Sequence, residues 1–358
     1  MSSPALLRAL REMPGASEVV RAEAGQPGFE QLASEAMRHG VGAVLLHELS
    51  SGNDGLSPAG TQSLRREVMA AMGGVLKVKR LLSRTNAALR ERGIRPVLLK
   101  GYGLGARLYG DPLLRPTSDV DLLVAPDELD ASRQVMASLG LRPKPESDDY
   151  YPPAYRHHEA FEGPGGLVEL HFRLMANWGA TWEGTTVLPR AVSAELEGQP
   201  VRYLSPEDEL VYLALHAANH MLGRLGWLFD LKLFIRAYPT LDWSRVIAIA
   251  RETGMPSPAF YALDAAHRLV GAQVPAWVLD ALSPPRLAVL AARAVFSERS
   301  VLEASLAEHK VAWAAAKVLL ADTPANVFVF AARRLVWNAR RSAAATSNSP
   351  SRGTSADR

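Results

Sequence analysis

At 358 residues the chain can bury a sizeable core without disulfide or metal staples and has room for two or three domains. Lys and Arg number 40 against 37 Asp and Glu, and part of the excess sits at Arg333, Arg334, Arg340, Arg341, Arg352 and Arg358, so nothing suggests the concentrated basic face of a nucleic-acid binder. The absence of cysteine removes disulfides, thiolate zinc sites and cysteine nucleophiles.

The opening stretch, MSSPALLRALREMPG, lacks the apolar run and cleavage site of a signal peptide. No segment reaches the uninterrupted apolar length of a membrane span. Val311 to Trp337, the most apolar region, carries Lys317, Asp322, Pro324, Arg333 and Arg334 and reads as two core helices. A soluble, cytoplasmic protein is the expectation.

From Pro4 to Gly93 the pattern is helical. Phe29 to Leu49 places apolar residues at helical spacing, with a break at Gly40–Gly42. A long amphipathic stretch follows, roughly Pro58 to Arg92, with Leu64, Met69, Met72, Leu76, Leu81, Leu82 and Leu89 on one broad face and a candidate interruption at Gly73–Gly74. Ile94 to Tyr203 changes character. Strand-like runs (PVLLK, DVDLLV, YRHHEAFEG, LVELHFRLM, PVRYL) accompany one strong helix, PDELDASRQVMASLG, with acids in its first turn and Gly140 at its end. EGPGGL, Glu162 to Leu167, predicts a hairpin turn. Arg142–Pro153 and Trp178–Thr186 read as loops.

From Ser205 the chain is helical again. Ser205 is an N-cap, Pro206 occupies the first helical position, and Asp208 follows three residues after the cap. Helices are expected near Gly226–Ala237, Trp243–Glu252 and Ser257–Leu269, with three more between Pro275 and Arg341. The last residues are small, polar and aromatic-free, hence disordered. The fold class is α+β: a small mixed sheet (94–204) between helical regions at 1–93 and 205–341, with a tail at 342–358.

Chemistry concentrates between Pro96 and Val124. Asp119 and Asp121 open a strand, and alternate residues leave a strand on the same face. Two adjacent carboxylates repel unless a cation sits between them, and hard oxygen donors suit magnesium. The alternative is a pair of solvated acids, but Leu122, Leu123 and Val124 place them at the rim of a buried strand. Glu169 lies in LVELHFRL, where Glu169, His171 and Arg173 share one face and Val168, Leu170 and Phe172 the other. Beside the first strand it would complete three carboxylates around two ions; otherwise this is a half-exposed sheet strand.

Lys100, Gly101, Gly103 and Gly105 fall where a strand gives way to a helix. That turn could cradle a phosphate or simply be tight, because K-G-x-G-x-G is neither the Walker loop nor a dinucleotide fingerprint. Arg107 and Arg115 are candidate phosphate contacts or surface charges. His216 and His220 are one helical turn apart, but Ala217 stands where a metalloprotease helix needs Glu. Packing with Arg224, Trp227 and Asp230 against the sheet is the expectation there, with a nucleotide contact from His220 or Asp230 as the alternative.

Three separated motifs, LLKG followed by LYGDPLLRPTSDVDLLV, then LVELHFRL, then LALHAANHMLGRLGWLFD, resemble the uncharacterised bacterial nucleotidyltransferases of the DNA polymerase beta-type superfamily over Ile94 to Leu233. The resemblance implies metal-dependent transfer of a nucleoside monophosphate from an NTP, ATP among them, to an acceptor hydroxyl or phosphate, with release of pyrophosphate. On this likeness Asp119, Asp121 and Glu169 are both the catalytic and the metal residues, for two Mg2+ ions. Lys100, Gly101, Gly103, Arg115 and His171 are the nucleotide-binding ones. The superfamily's Gly-Ser pair is Lys100-Gly101 here, so the serine contact to phosphate is missing. The acceptor would be a small molecule, sugar derivative, peptide or protein. A nucleotide-binding regulatory or antitoxin-like module that has lost turnover is the competing expectation.

Overall fold

The computed structural model describes residues 4–15, 28–50, 58–144, 156–303 and 316–321, with parts of 323–339. The expected tail at 342–358 and most of the loop expected at 142–153 lie outside them. The chain is α+β. Among the described residues four helices come first: α1 (Pro4–Glu12), α2 (Phe29–Arg38), α3 (Gly42–Ser50) and α4 (Pro58–Glu91). The break between α2 and α3 falls at Gly40, whose φ of +72° suits a residue without a side chain.

Helix α4 runs unbroken through Gly73–Gly74, because its inner stripe continues on both sides of the pair. Leu64, Val68, Val75, Val78, Leu82 and Leu89 are buried, whereas Met69 and Leu76 are exposed. At about 100° per residue, Met69 and Leu76 point roughly 120–140° away from Leu64. The broad face expected from the leucines and methionines holds at Leu64, Leu81, Leu82 and Leu89, excludes Met69 and Leu76, and is richer in valine than expected.

The central sheet has five strands: β1 (Val97–Leu98), β2 (Asp119–Leu123), β3 (Arg142–Pro143), β4 (His158–Gly163) and β5 (Gly166–His171). Their spatial order is β1-β2-β5-β4-β3. β2 and β5 run parallel and the other pairs antiparallel. Helix α5 (Gly101–Leu108) connects β1 to β2, and α6 (Leu129–Ser138) follows β2. β4 and β5 form the expected hairpin, closed by Gly163 opposite Gly166. One sheet face is apolar: Val120, Leu122, Phe161, Val168 and Leu170 pack with Val75, Val78 and Leu82 of α4 and Val135 and Met136 of α6.

Several differences from the sequence reading concern strands, the first being that the stretch read as a loop at 142–153 opens with β3, paired to β4. LVELHFRLM is not one strand: the chain turns at Phe172, whose N–H and that of Arg173 both bond to the His157 carbonyl, and β6 (Arg173–Asn177) begins anew. Arg173 therefore leaves the Glu169–His171 face and pairs with Glu183. The loop expected at Trp178–Thr186 contains a strand, β7 (Ala180–Glu183), which pairs with β6; Trp182, buried in the core, supplies the reason. A separate hairpin, β8 (Val192–Leu196) with β9 (Gln199–Tyr203), precedes the C-terminal helices.

Helix α7 (Pro206–Asn219) starts as the sequence predicts, with Ser205 accepting from the Asp208 N–H. It is followed by α8 (Leu225–Ala237), α9 (Trp243–Glu252), α10 (Pro256–Ala265), α11 (Ala276–Leu282), α12 (Arg286–Val295) and α13 (Glu298–Glu303). Alpha-helices at both ends of the chain meet in one core, where Leu6, Leu10, Leu32, Leu45 and Leu64 join Leu213, Phe229, Phe234, Leu263 and Leu302. Beyond α13, Ala316 and Leu320 join the core while Val318, Phe328, Leu335 and Val336 are exposed; the rest of the two core helices expected over Val311–Trp337 lies partly outside the described residues. Among the described residues no helix is long and apolar enough to cross a membrane.

Candidate active site

The parallel register of β2 and β5 places Asp121 opposite Glu169 and Leu123 opposite His171. Alternation then puts Asp119, Asp121, Glu169 and His171 on the same face of the sheet, away from the apolar layer. β4 adds His158, which lies opposite His171 across the hairpin. Asp121 is almost completely buried, Glu169 and Asp119 partly so. The register of three short strands thus gathers three carboxylates and two imidazoles.

Charge balance holds this cluster together. Lys100, the residue before α5, donates from Nζ to Asp121 Oδ2 at 2.6 Å and lies 3.8 Å from Asp119 Oδ2. On the other side His171 Nε2 is 3.0 Å from Asp121 Oδ1 and 3.5 Å from Glu169 Oε2. Burial alone would raise Asp121, but the Lys100 ammonium and the His171 hydrogen bond hold its carboxyl well below the usual range. Glu169 is lowered too: burial opposes ionisation, and the His171 bond outweighs it. Asp119 goes the other way, pushed up by burial and by the Asp121 charge despite Lys100. Burial depresses Lys100, yet the two aspartates raise it above its ordinary value.

The histidines split in the same fashion. Burial lowers His171, but its bonds to Asp121 and Glu169 win and raise it to about 9. His158 falls to about 4 through burial and the neighbouring His171 charge. His171 is therefore the charged imidazole and His158 the neutral one near pH 7. A group whose pKa is higher folded than unfolded stabilises the fold fully below its unfolded value and loses that contribution as pH rises through the folded one. For His171 the window runs from about 6.5 to about 9. The thermal midpoint of metal-free protein is expected to decline across this window, and the decline should flatten in His171→Gln. An equal slope in the variant would show that other groups cause it.

A family described as uncharacterised nucleotidyltransferase matches residues 26–271, well over half of the chain. The chain belongs to this family. No curated protein matches it. Solved structures similar to it include the antibiotic-resistance factor ANT(2'')-Ia in solution, 18% identical, covering 48% of this chain and 89% of that one with a TM-score of 0.35. The crystal structure of ANT(2'')-Ia in complex with adenylyl-2''-tobramycin is also 18% identical, covering 49% and 95% with a TM-score of 0.35. An antigenic nucleotidyltransferase-like protein from Paracoccidioides brasiliensis is 18% identical and covers 51% and 91%, with a TM-score of 0.31.

In this nucleotidyltransferase the remaining candidates have definite positions. Gly101 adopts φ +60°, and a Cβ there would stand 3.4 Å from Thr117 Oγ1. The Cα of Gly103 packs on the core: a Cβ would come within 2.5 Å of Leu98 and 2.9 Å of Tyr203, so its small size seats α5 on the sheet and on β9. Arg115 is buried, with Nε and Nη2 donating to the two oxygens of Asp230 at 2.9 and 2.8 Å. Its Nη1 donates to the Gly101 carbonyl, and Tyr109 donates to Asp230 at 2.6 Å. Its guanidinium thus ties the Gly turn to α8. Arg107 is likewise engaged, by Glu209 and over the Tyr203 ring.

His216 and His220 pack against Trp227, with ring centroids 5.4 and 4.7 Å away. Burial and then the Lys100 charge lower both, so a pair of neutral rings faces the lysine side of the site. Sequence reasoning missed His157 and His158. The signal was present in the hairpin: counting outward from Gly163 opposite Gly166 reaches His158 opposite His171.

Proposed function

We propose that the chain transfers a nucleoside monophosphate from an NTP to an acceptor hydroxyl or phosphate, releasing pyrophosphate, as a member of the DNA polymerase beta-type superfamily. The reading rests on one observation above all: Asp121 and Glu169 stand in register on adjacent parallel strands, on the same face as Asp119. Reactions at a triphosphate are catalysed mostly by positioning and by neutralising charge, and a rigid row of acids beside a buried lysine supplies both.

The donor set fits divalent metal. The acids are hard oxygen ligands, and the Lys100 ammonium already lies against Asp121 and near Asp119, which marks a place where positive charge is stabilised. Asp119, Asp121 and Glu169 would hold Mg2+. The chemistry such a metal would supply there is positive charge for the triphosphate and a lowered pKa for the attacking group. Lys100, freed from Asp121, would then bind the triphosphate, and the N–H groups opening α5 at Gly101 and Gly103 would face its oxygens. Arg115 acts as a positioning residue through its bond to the Gly101 carbonyl. In this organisation residues 94–204 are the catalytic core, and the flanking helical regions 1–93 and 205–341 support it.

Thermal-shift titration of the four NTPs, with and without magnesium, tests this without knowledge of the acceptor. A ligand that binds only the native state stabilises by RT ln(1 + [L]/Kd), about 2.7 kcal/mol at 100 Kd. A magnesium-dependent rise is expected for at least one NTP and should disappear in Asp119→Ala. No rise with any NTP would end the proposal. A rise without pyrophosphate release across a wide acceptor panel would favour the binding-only module.

A further inference from the structure

We propose that His157, His158 and His171 form a binding site for a borderline divalent ion of the zinc and cobalt type, next to the hard-oxygen site of the aspartate pair. The three rings each present a nitrogen, and these nitrogens lie within 4.8 Å of one another. Ring centroids are 4.6 Å apart for His157 and His158, 5.0 Å for His158 and His171, and 5.7 Å for His157 and His171. Zinc–nitrogen bonds of about 2.0–2.1 Å set neighbouring ligand nitrogens roughly 3.3 Å apart in a tetrahedron. The rings need to close by at most about 1.5 Å, within the range of small side-chain rotations.

The backbone holds all three in place. His158 and His171 are cross-strand partners, so the ladder fixes their separation. His157 lies just before β4, and its carbonyl accepts from the N–H groups of Phe172 and Arg173. Glu169 sits beside the cluster, with Oε1 3.7 Å from His158 Nε2 and Oε2 3.5 Å from His171 Nε2. Three imidazoles with a fourth position open to water are a known ligand set for four-coordinate zinc, and Glu169 borders it.

The donor chemistry separates this site from the neighbouring one. Magnesium prefers oxygen and water, whereas imidazole suits zinc, cobalt, nickel and copper. His171 carries a further clue. It is almost fully buried and its Nδ1 has no hydrogen-bond partner, so the two carboxylates do not use up its nitrogens. Asp121, Glu169 and His171 also form a metal-capable group of their own, which would place a nitrogen-donor and an oxygen-rich position side by side with His171 at their boundary.

The test is a Co2+ titration of the full-length protein with no nucleotide present, so its outcome does not depend on the nucleotidyl-transfer reading. With no cysteine in the chain, visible absorption cannot come from thiolate. One equivalent of Co2+ should bind with the intense ligand-field bands of a four-coordinate ion, be displaced by Zn2+, and resist a large excess of Mg2+. His157→Asn and His158→Ala should each weaken binding by at least the roughly 10–100-fold typical of changes outside the ligand shell. His47→Ala, on an exposed helix position, should have no effect and controls for surface histidines. Melting curves of the metal-free variants report folding, and the half-buried His157 variant decides the matter if His158→Ala fails to fold. A six-coordinate spectrum displaced by equimolar Mg2+, or undiminished binding in the folded histidine variants, would overturn the proposal.

Discussion

Asp119→Asn should lower pyrophosphate release by at least about 10²–10³-fold, the scale of removing one preorganised electrostatic contact, while leaving the fold as stable as before or more so. The two halves of this expectation have different causes. Activity falls because Asp119 would share the metal with Asp121. Stability holds because burial and the Asp121 charge already disfavour the Asp119 carboxylate, so a neutral amide relieves strain that the folded state carries for function. Asp121→Asn is the instructive contrast. Its carboxylate is the counter-charge to both Lys100 and His171, and its loss would leave two buried cations facing one another. That variant should lose activity and stability together. Urea denaturation of both variants alongside the activity assay separates the cases. A markedly lower midpoint for Asp119→Asn would mean that its carboxylate serves chiefly as a structural partner of Lys100.

Asp230→Ala carries the largest expected cost to stability. Arg115 loses its bidentate partner and Tyr109 its acceptor, and all three groups are buried or nearly so. Breaking a buried ion pair from one side costs about 3–5 kcal/mol, chiefly because the other charge remains without compensation. The paired change Arg115→Leu with Asp230→Leu should recover much of that loss, since two apolar groups leave no buried charge behind. Chemical denaturation measures both. A cost below about 1 kcal/mol for Asp230→Ala would show that solvent reaches Arg115 after the substitution. The double variant should fold yet turn over poorly, because the guanidinium no longer holds the Gly101 carbonyl.

The carboxylate face was legible because strand alternation is a local rule. Asp119 and Asp121 must share a face, and Glu169 follows once LVEL is set beside them. The need for a cation between the acids was legible too, although the chain meets part of it with Lys100. The Arg115–Asp230 pair was hidden for a physical reason: the two residues are 115 positions apart and meet only through the packing of α8 on the Gly turn. The same holds for the packing of Gly103 against Leu98 and Tyr203, a demand for glycine that the local pattern does not announce. Composition alone misplaced Met69 and Leu76 on the inner face of α4, since apolar content does not say which stripe has a neighbour to cover it.

The shared core of the two helical regions bears on how the chain is made. Leu32, Leu45 and Leu64 leave the ribosome early, but their partners Leu213, Phe229 and Leu263 follow well over a hundred residues later. At about 5–20 residues per second, synthesis of that interval takes on the order of 10–40 s. Throughout it the apolar sides of α2 and α3 have only each other, α1 and α4 for cover, and the rest of their core face stays open. Contacts of such long sequence separation also form slowly. The nascent amino-terminal helices are thus natural clients for a chaperone that holds apolar segments, and fragments that stop before α7 should aggregate where the full chain does not.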